Sequence, residues 1–206
     1  MVATSNADAV ALIDQWPDWP MQNLLLTGPA GSGKTHLAEV WRQVTGATSV
    51  AAADLTVEAV PDLLSGKTLI VENVEMLPEA PTGTGEAALF HLLNLAREEG
   101  ASLLLTAHKS AAALNVQLPD LASRLRALNS VALRPPDDAL LGAVLLKLFN
   151  DRQLRVPEVL IPFLTARIER SVDAAREIVQ ALDHASLAGK RAITVPLAAK
   201  LLKTAE

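Results

Sequence analysis

The feature that most constrains the fold is the segment at residues 28–35, which reads Gly-Pro-Ala-Gly-Ser-Gly-Lys-Thr. It follows the apolar run at residues 24–26 and precedes residues 34–45, whose apolar side chains recur at helical spacing. Glycines let backbone amides approach an anion without a Cβ clash, and the amides at a helix N-terminus favour negative charge. The segment therefore has both the residues and the context of a Walker A loop, which predicts a nucleotide phosphate site.

Each part of this loop has an expected role. We expect the backbone amides to cradle phosphates, Lys34 to neutralise terminal phosphate charge, and Thr35 to offer its hydroxyl to Mg²⁺. The implied cofactors are ATP or ADP, with Mg²⁺. The predicted nucleotide-binding residues of the loop and the helix start are Gly28, Pro29, Ala30, Gly31, Ser32, Gly33, Lys34, Thr35 and His36.

A second apolar run, residues 69–71, ends in Glu72 and fits a Walker B strand whose acid holds Mg²⁺ through water. The next position usually carries the carboxylate that orients the attacking water, and here it is Asn73. An amide cannot accept a proton at neutral pH, so we expect nucleotide binding with weak or no intrinsic ATPase activity. Glu75 or another acid taking over that role is the alternative.

The neighbouring strand, residues 103–106, ends in Thr106, which stands where a polar side chain would sense the terminal phosphate. His108 occupies a place where an acid or an amide is more usual. Because Thr106 is the polar residue at the end of this strand, it is a predicted nucleotide contact.

Apolar periodicity and turn signals predict alternating strands and helices, followed by helices alone. The predicted strands are residues 24–26, 49–53, 68–71, 103–106 and 130–133, and the predicted helices are residues 6–15, 34–45, 57–64, 86–99 and 118–128. Beyond Pro135-Pro136 the predicted helices are residues 137–151, 157–169, 172–187 and 195–204. The pattern predicts an α/β domain, residues 1–134, with a five-stranded parallel sheet covered by helices on both faces, and an all-helical domain, residues 135–206.

Composition narrows the functional classes. The chain has no cysteine, which excludes disulfides and thiolate metal sites. Its net charge of -5 argues against a duplex-DNA-binding module, which normally carries a basic face. The sequence shows neither a signal peptide nor an apolar stretch of membrane-spanning length, so we expect no membrane contact and a cytoplasmic protein. Trp16 and Trp19 are expected to pack in the core rather than to form an exposed partner surface.

Several segments together resemble the DnaA branch of the AAA+ ATPases, and within it the Hda family of DnaA-related regulators. They are Gly-Lys-Thr-His-Leu at residues 33–37, Asn73 after the Walker B acid, Leu-Thr at residues 105–106, Leu-Pro-Asp-Leu-Ala-Ser-Arg-Leu at residues 118–125, and Leu-Asp-His-Ala-Ser at residues 182–186. The resemblance implies a P-loop AAA+ core followed by a small helical lid. It also implies action with the DNA-loaded sliding clamp on ATP-bound DnaA, promoting hydrolysis of that ATP and preventing re-initiation of chromosome replication.

By the same resemblance Arg124 is an arginine finger that acts in trans. Such an arginine neutralises charge that develops between the β- and γ-phosphates, an effect worth about 10³–10⁵ in rate. The alternative is an arginine in a surface salt bridge, which contributes little. The lid is expected to supply an arginine that contacts the bound nucleotide, and Arg176 matches that position. A match based on residues 182–186 shifts the register by three residues and puts Asp173 there, and Arg170 is a third candidate.

Two features at the start of the chain depart from the family pattern. Family members usually begin with a short Gln/Leu-rich peptide that docks on the sliding clamp, and nothing similar precedes Asn6. The strand-like residues that help wall the adenine pocket in DnaA relatives are also missing before Asn6. The sequence ends directly after the predicted lid, so we expect no DNA-binding domain like that of DnaA and no direct sequence-specific DNA binding. AAA+ proteins usually meet through the finger face, which favours self-association.

Two other functions are the alternatives to a regulator of DnaA. The first is a self-sufficient AAA+ ATPase such as a DnaC-like helicase loader, which would hydrolyse ATP briskly without DnaA; Asn73 argues against it. The second is a DNA-binding initiator fragment, which would bind duplex DNA in a salt-sensitive way.

Overall fold

The computed structural model describes residues 2–79, 84–189 and 191–204. Contacts divide the chain into two compact units. The sheet unit comprises residues 7–29 and 33–133, and the helical unit comprises residues 1–6, 30–32 and 134–206. The predicted domain boundary at residues 134 and 135 stays a prediction. Within the described residues, no helix is long and apolar enough to span a membrane.

The sheet unit contains five strands, and all of them pair in parallel. They are β1 (Asn23–Thr27), β2 (Thr48–Ala51), β3 (Thr68–Glu72), β4 (Ser102–Ala107) and β5 (Asn129–Ala132). Their spatial order is β2-β3-β4-β1-β5, so β1 lies between β4 and β5. Because the strands are parallel, the residues after β1, β3 and β4 meet at one edge of the sheet. This arrangement confirms the predicted α/β fold.

The helices of the sheet unit are α1 (Ala7–Asp14), α2 (Lys34–Thr45), α3 (Val60–Leu63), α4 (Gly85–Glu99) and α5 (Pro119–Ala127). Successive strand residues point to opposite faces of the sheet, and each face has its own buried cluster. Leu25 and Leu105 belong to a cluster that includes residues of α3, α4 and α5. Leu24 and Leu104 belong to a second cluster, with residues of α1 and α2. Helices therefore cover both faces.

The tryptophans contribute to the second cluster. Trp19 is 3% exposed and stacks on Trp41 of α2, with the ring centroids 5.2 Å apart. Trp16 meets Trp41 edge to face, with the centroids 6.2 Å apart, and its Nε1 donates to the hydroxyl of Ser102. Core packing of Trp16 and Trp19 is thus confirmed.

The described part of the helical unit is built around α6 (Asp138–Asp151), α7 (Leu160–Thr165), α8 (Val172–Gly189) and α9 (Val195–Thr204). Their inward side chains form one apolar cluster around Leu145, Phe149 and Leu182. The side chain of Asp137 caps α6 by accepting from the amide of Leu140 at 2.8 Å.

Two predicted helices are shorter than expected, and a proline lies in the first turns of each. Residues 57–64 were predicted to be helical, but α3 begins only at Val60, because Pro61 has no N–H to bond the carbonyl of Val57. Residues 157–169 were predicted as one helix, but α7 covers only Leu160–Thr165. Pro162 has no N–H to bond the carbonyl of Glu158, so a turn precedes the helix.

Candidate functional site

The glycine-rich loop connects β1 to α2 at the edge where the parallel strands end. The amide of Gly28 donates to the carbonyl of Ala107 at 3.2 Å, which ties the loop to the end of β4. Gly33 is the N-cap of α2 with a φ of 101°, and glycine has no side chain that could cap the helix. A glycine at this position leaves space for an anion at the helix N-terminus, where negative charge is favoured.

Two loop glycines occupy positions that other residues rarely adopt. Gly31 has a φ of 67° and Gly33 a φ of 101°, both in the left-handed region. A Cβ on Gly31 would lie 2.4 Å from the Cβ of Ser171, within the helical unit that contains residues 30–32. In the same unit the amide of Val172, the first residue of α8, donates to the carbonyl of Gly31 at 2.8 Å. Glycine at position 31 is thus required by both backbone conformation and space.

Lys34 is buried in the loop itself. It is 6% exposed, and its Nζ donates to the carbonyls of Gly28 at 2.7 Å and Pro29 at 2.9 Å. The loop thus already carries a fixed positive charge inside it. Thr35 and His36 follow on the exposed surface of α2. A lysine, a hydroxyl and the amides of a helix N-terminus form the donor set that nucleotide phosphates require.

The ends of β3 and β4 are joined by a side-chain hydrogen bond. Asn73 directly follows β3 in a left-handed conformation, with a φ of 58°. Its backbone N–H donates to the Oγ1 of Thr106 at 3.0 Å, and Thr106 is 2% exposed. Thr106 therefore fixes the turn that follows the Walker B strand. The carboxylate of Glu72 accepts from the hydroxyl of Ser49 on β2 at 2.8 Å.

Glu75, the alternative candidate for the catalytic acid, lies in the turn after Asn73. Its Oε2 accepts from the amide of His108 at 3.1 Å, and its Oε1 lies 2.9 Å from the Nδ1 of the same histidine. Both carboxylate oxygens thus contact His108, which follows β4. This arrangement supports a structural role for Glu75 in joining the β3 and β4 ends.

Arg124 lies on α5, beside the apolar stripe that buries Leu121 and Leu125. Its side chain is half-buried, and its Cζ lies 5.8 Å from the centroid of the Phe90 ring on α4, within the range of a cation–π contact. Among the side chains that the structure describes, no carboxylate lies within 4.0 Å of the Arg124 guanidinium. Its hydrogen-bond donors are therefore not committed to an acid there.

The start of α5 is fixed by α4. The carboxylate of Glu86 accepts from the amide of Leu118 at 2.7 Å and from the amide of Gln117 at 2.9 and 3.1 Å. Leu118 is the N-cap of α5, and its own side chain cannot cap the helix. Sequence reasoning missed Glu86 and Phe90, because neither belongs to a nucleotide-binding motif.

The three lid candidates lie at or just before the start of α8. The guanidinium of Arg176 pairs with the carboxylate of Asp173 at 3.2 Å, one turn apart on the helix. Arg170 instead pairs with Asp138 of α6 at 2.9 Å. Asp173 follows Val172, which bonds Gly31. The choice between Arg176, Asp173 and Arg170 stays a prediction.

Hydrogen bonds thus join the start of the Walker A loop, the end of β4 and the residue after β3, which were predicted separately from the sequence. The start of the Walker A loop bonds the end of β4, and the end of β4 bonds the residue after β3. Arg124 lies on another element, with its guanidinium over α4. Within the described residues, no group of three or more His, Cys, Asp and Glu side chains could hold a metal ion.

Comparisons with known proteins agree with this geometry. Residues 140–202 match the family model described as the Hda lid domain. Domain III of the Thermotoga maritima replication initiation protein DnaA superposes with a TM-score of 0.80 over 98% of this chain and 93% of that chain, at 17% identity. The chain thus has the AAA+ fold of DnaA domain III, and its residues 140–202 are similar to the Hda lid domain.

Other AAA+ structures share the fold over less of their own length. AMPPCP-bound DnaA from Aquifex aeolicus has a TM-score of 0.72 at 16% identity, covering 89% of this chain and 63% of that chain. The RuvB R170A variant of Thermotoga maritima has a TM-score of 0.70 at 14% identity, covering 97% of this chain and 68% of that chain. At these identities the likeness shows the AAA+ fold alone.

Proposed function

We propose that this DnaA-like protein binds an adenine nucleotide in its Walker A loop and acts in trans on ATP-bound DnaA. With the DNA-loaded sliding clamp, it promotes hydrolysis of the ATP held by DnaA and so prevents a second round of replication initiation. The match of residues 140–202 to the Hda lid supports this regulator over other AAA+ functions. The site of action is the cytoplasm.

The observation that carries the proposal is the environment of Arg124. A finger must project from a fixed element and keep its guanidinium for a phosphate on another protein. Arg124 is on a helix anchored to the core by Leu121 and Leu125, and its guanidinium rests on an aromatic ring instead of an acid. A structural salt bridge, the alternative role, would have placed a carboxylate beside it.

The protein's own nucleotide is held rather than turned over. Asn73 stands where a catalytic carboxylate is usual, and its side-chain amide cannot accept a proton at neutral pH. Glu75, the nearby acid, has both oxygens on His108. The missing carboxylate and the engagement of Glu75 support weak or absent intrinsic hydrolysis. The missing carboxylate and the Hda resemblance favour ADP as the nucleotide of the working state.

The donor set of the loop fits a nucleotide with Mg²⁺. Lys34 and the α2 amides would hold the phosphates, and the Aquifex aeolicus DnaA, which shares the fold, binds the ATP analogue AMPPCP. Mg²⁺ prefers hard oxygen ligands, which Thr35 and Glu72 provide, and when bound it neutralises phosphate charge. Arg176 remains our candidate for the lid arginine, and Thr106 for the strand-end contact.

Single-turnover hydrolysis of radiolabelled ATP pre-bound to DnaA tests the proposal. Adding this protein and DNA-loaded clamp is expected to speed hydrolysis, whereas the protein alone with ATP is expected to show little multiple turnover. Brisk turnover without DnaA would instead favour the helicase-loader alternative.

The clamp contact is tested in a separate experiment. If stimulation is absent, the assay is repeated with a Gln/Leu-rich peptide fused to the N-terminus. No stimulation in either form would contradict the proposed function.

A further inference from the structure

The N-terminus of α5, the helix that carries Arg124, is hydrogen-bonded to a carboxylate of another helix, α4. The amides of Gln117 and Leu118 both point at Glu86, and Pro119, the first residue of α5, has no N–H. A charge-assisted hydrogen bond is roughly twice as strong as a neutral one, and a negative charge is favoured near a helix N-terminus. Glu86 therefore fixes both the position and the direction of α5 at its first residue.

Phe90 lies four residues after Glu86 on α4, so both side chains share one face of that helix. Glu86 holds the start of α5, and Phe90 supports the guanidinium of Arg124, which is located in the second turn of α5. Both contacts are within the sheet unit. One face of α4 thus determines where the helix begins and where its arginine rests.

We propose that Glu86 and Phe90 are positioning residues for Arg124, and this inference rests on the proposed trans-acting role of Arg124. An arginine side chain has many rotamers, and ordering it at the moment of reaction costs free energy. Contact with a ring face restricts the guanidinium beforehand, and the carboxylate restricts the helix that carries it. The two residues act through Arg124 and touch no nucleotide.

The effect of each substitution follows from what it removes. Phe90→Leu keeps an apolar side chain but removes the ring face, and we expect a drop of about two- to fivefold in the maximal rate of DnaA-bound ATP hydrolysis. Phe90→Tyr keeps the ring and should retain most of the rate. Glu86→Gln removes the charge and puts an N–H₂ group beside two amide donors, and we expect a loss of about three- to tenfold.

The first measurement separates positioning from docking. Stimulation is titrated with full-length variants, and the maximal rate and the concentration for half-maximal stimulation are read separately. Positioning lowers the maximal rate and leaves the half-maximal concentration unchanged. Glu98→Gln, an exposed acid on the same helix, is the matched control and should behave as wild type. A raised half-maximal concentration with an unchanged maximal rate would overturn the proposal.

A second measurement does not depend on DnaA. Phenylglyoxal modifies accessible arginines, and mass spectrometry gives its rates at Arg124 and at the exposed Arg126. We expect Phe90→Leu to speed modification of Arg124 at least about twofold, by removing its ring contact, without changing Arg126. Equal Arg124 rates in wild type and Phe90→Leu would overturn the positioning role. If Arg124→Ala stimulates like wild type, the proposed function fails, and the labelling result still decides this inference.

Discussion

The helices α2 and α5 of the sheet unit both begin without a cap from their own N-cap side chain, but the two starts have different surroundings. At α2 a glycine-rich loop precedes the helix, with Lys34 on the loop carbonyls. At α5 the carboxylate of Glu86 binds the two amides that precede the first helical residue. One helix start presents donors suited to an exchangeable anion, and the other is closed by an anion of the protein.

The difference follows from what each helix must do. Amides at a helix N-terminus need partners, whether these are side chains, water or ligands. A helix that binds phosphate must leave them available, so the stability of its start depends on the ligand. A helix that presents an arginine to another protein gains from being fixed in advance. The α2 start is therefore expected to respond to nucleotide, and the α5 start is not.

The largest effect should come from Lys34→Ala. A ligand present at 100 times its Kd stabilises the folded state by about 2.7 kcal/mol, and we expect that stabilisation by ADP to disappear in the variant. Thermal unfolding with and without ADP measures it, with Lys109→Ala, an exposed lysine, as the control. Full stabilisation by ADP in Lys34→Ala would mean that the loop is not the nucleotide site.

Glu86→Ala should act on the other helix start. It leaves the amides of Gln117 and Leu118 without their carboxylate, and we expect a loss of about 1–3 kcal/mol in the free energy of unfolding. Denaturant unfolding provides the value, and Glu98→Ala on the same helix should stay within about 0.5 kcal/mol of wild type. The increment produced by ADP should be preserved in Glu86→Ala. A diminished increment would show that the two helix starts are coupled.

A smaller loss of stability is expected from substitutions of Thr106, because its hydroxyl accepts from one backbone amide, whereas the Glu86 carboxylate accepts from two. Thr106→Val keeps the shape and removes the acceptor of the Asn73 amide, at a cost of about 1 kcal/mol in the free energy of unfolding. Thr106→Ser keeps the hydroxyl and should preserve this hydrogen bond. If the serine and valine variants show the same loss, the hydrogen bond contributes nothing and only packing matters.

Local signals predicted the α2 region well. The glycines at positions 33 and 46 bracket a run with helical periodicity, and the observed helix, Lys34–Thr45, has the predicted bounds. The β3 and β4 strands were also predicted within one or two residues, because apolar runs covered on both faces give a strong signal. Each of these elements depends on neighbours in sequence.

The α5 assembly could not be predicted in the same way. Arg124 was singled out only through the family resemblance, and the hydrogen bonds of Glu86 span 31 and 32 residues of sequence. An acid in the first turn of α4 is already explained by the dipole of that helix, so nothing in the sequence indicates that Glu86 also contacts α5. The bond between Asn73 and Thr106 was missed for the same reason, since it depends on strand order.

The most direct test of the central claim compares Arg124→Ala with Arg126→Ala in the hydrolysis of ATP pre-bound to DnaA, in the presence of DNA-loaded clamp. The two arginines share α5, but only Arg124 rests on Phe90, and Arg126 is exposed. We predict that Arg124→Ala abolishes the stimulation, since a finger is worth about 10³–10⁵ in rate, while it binds ADP like wild type and Arg126→Ala stays active. Stimulation by Arg124→Ala at the wild-type rate, or loss of ADP binding in that variant, would contradict a role in trans.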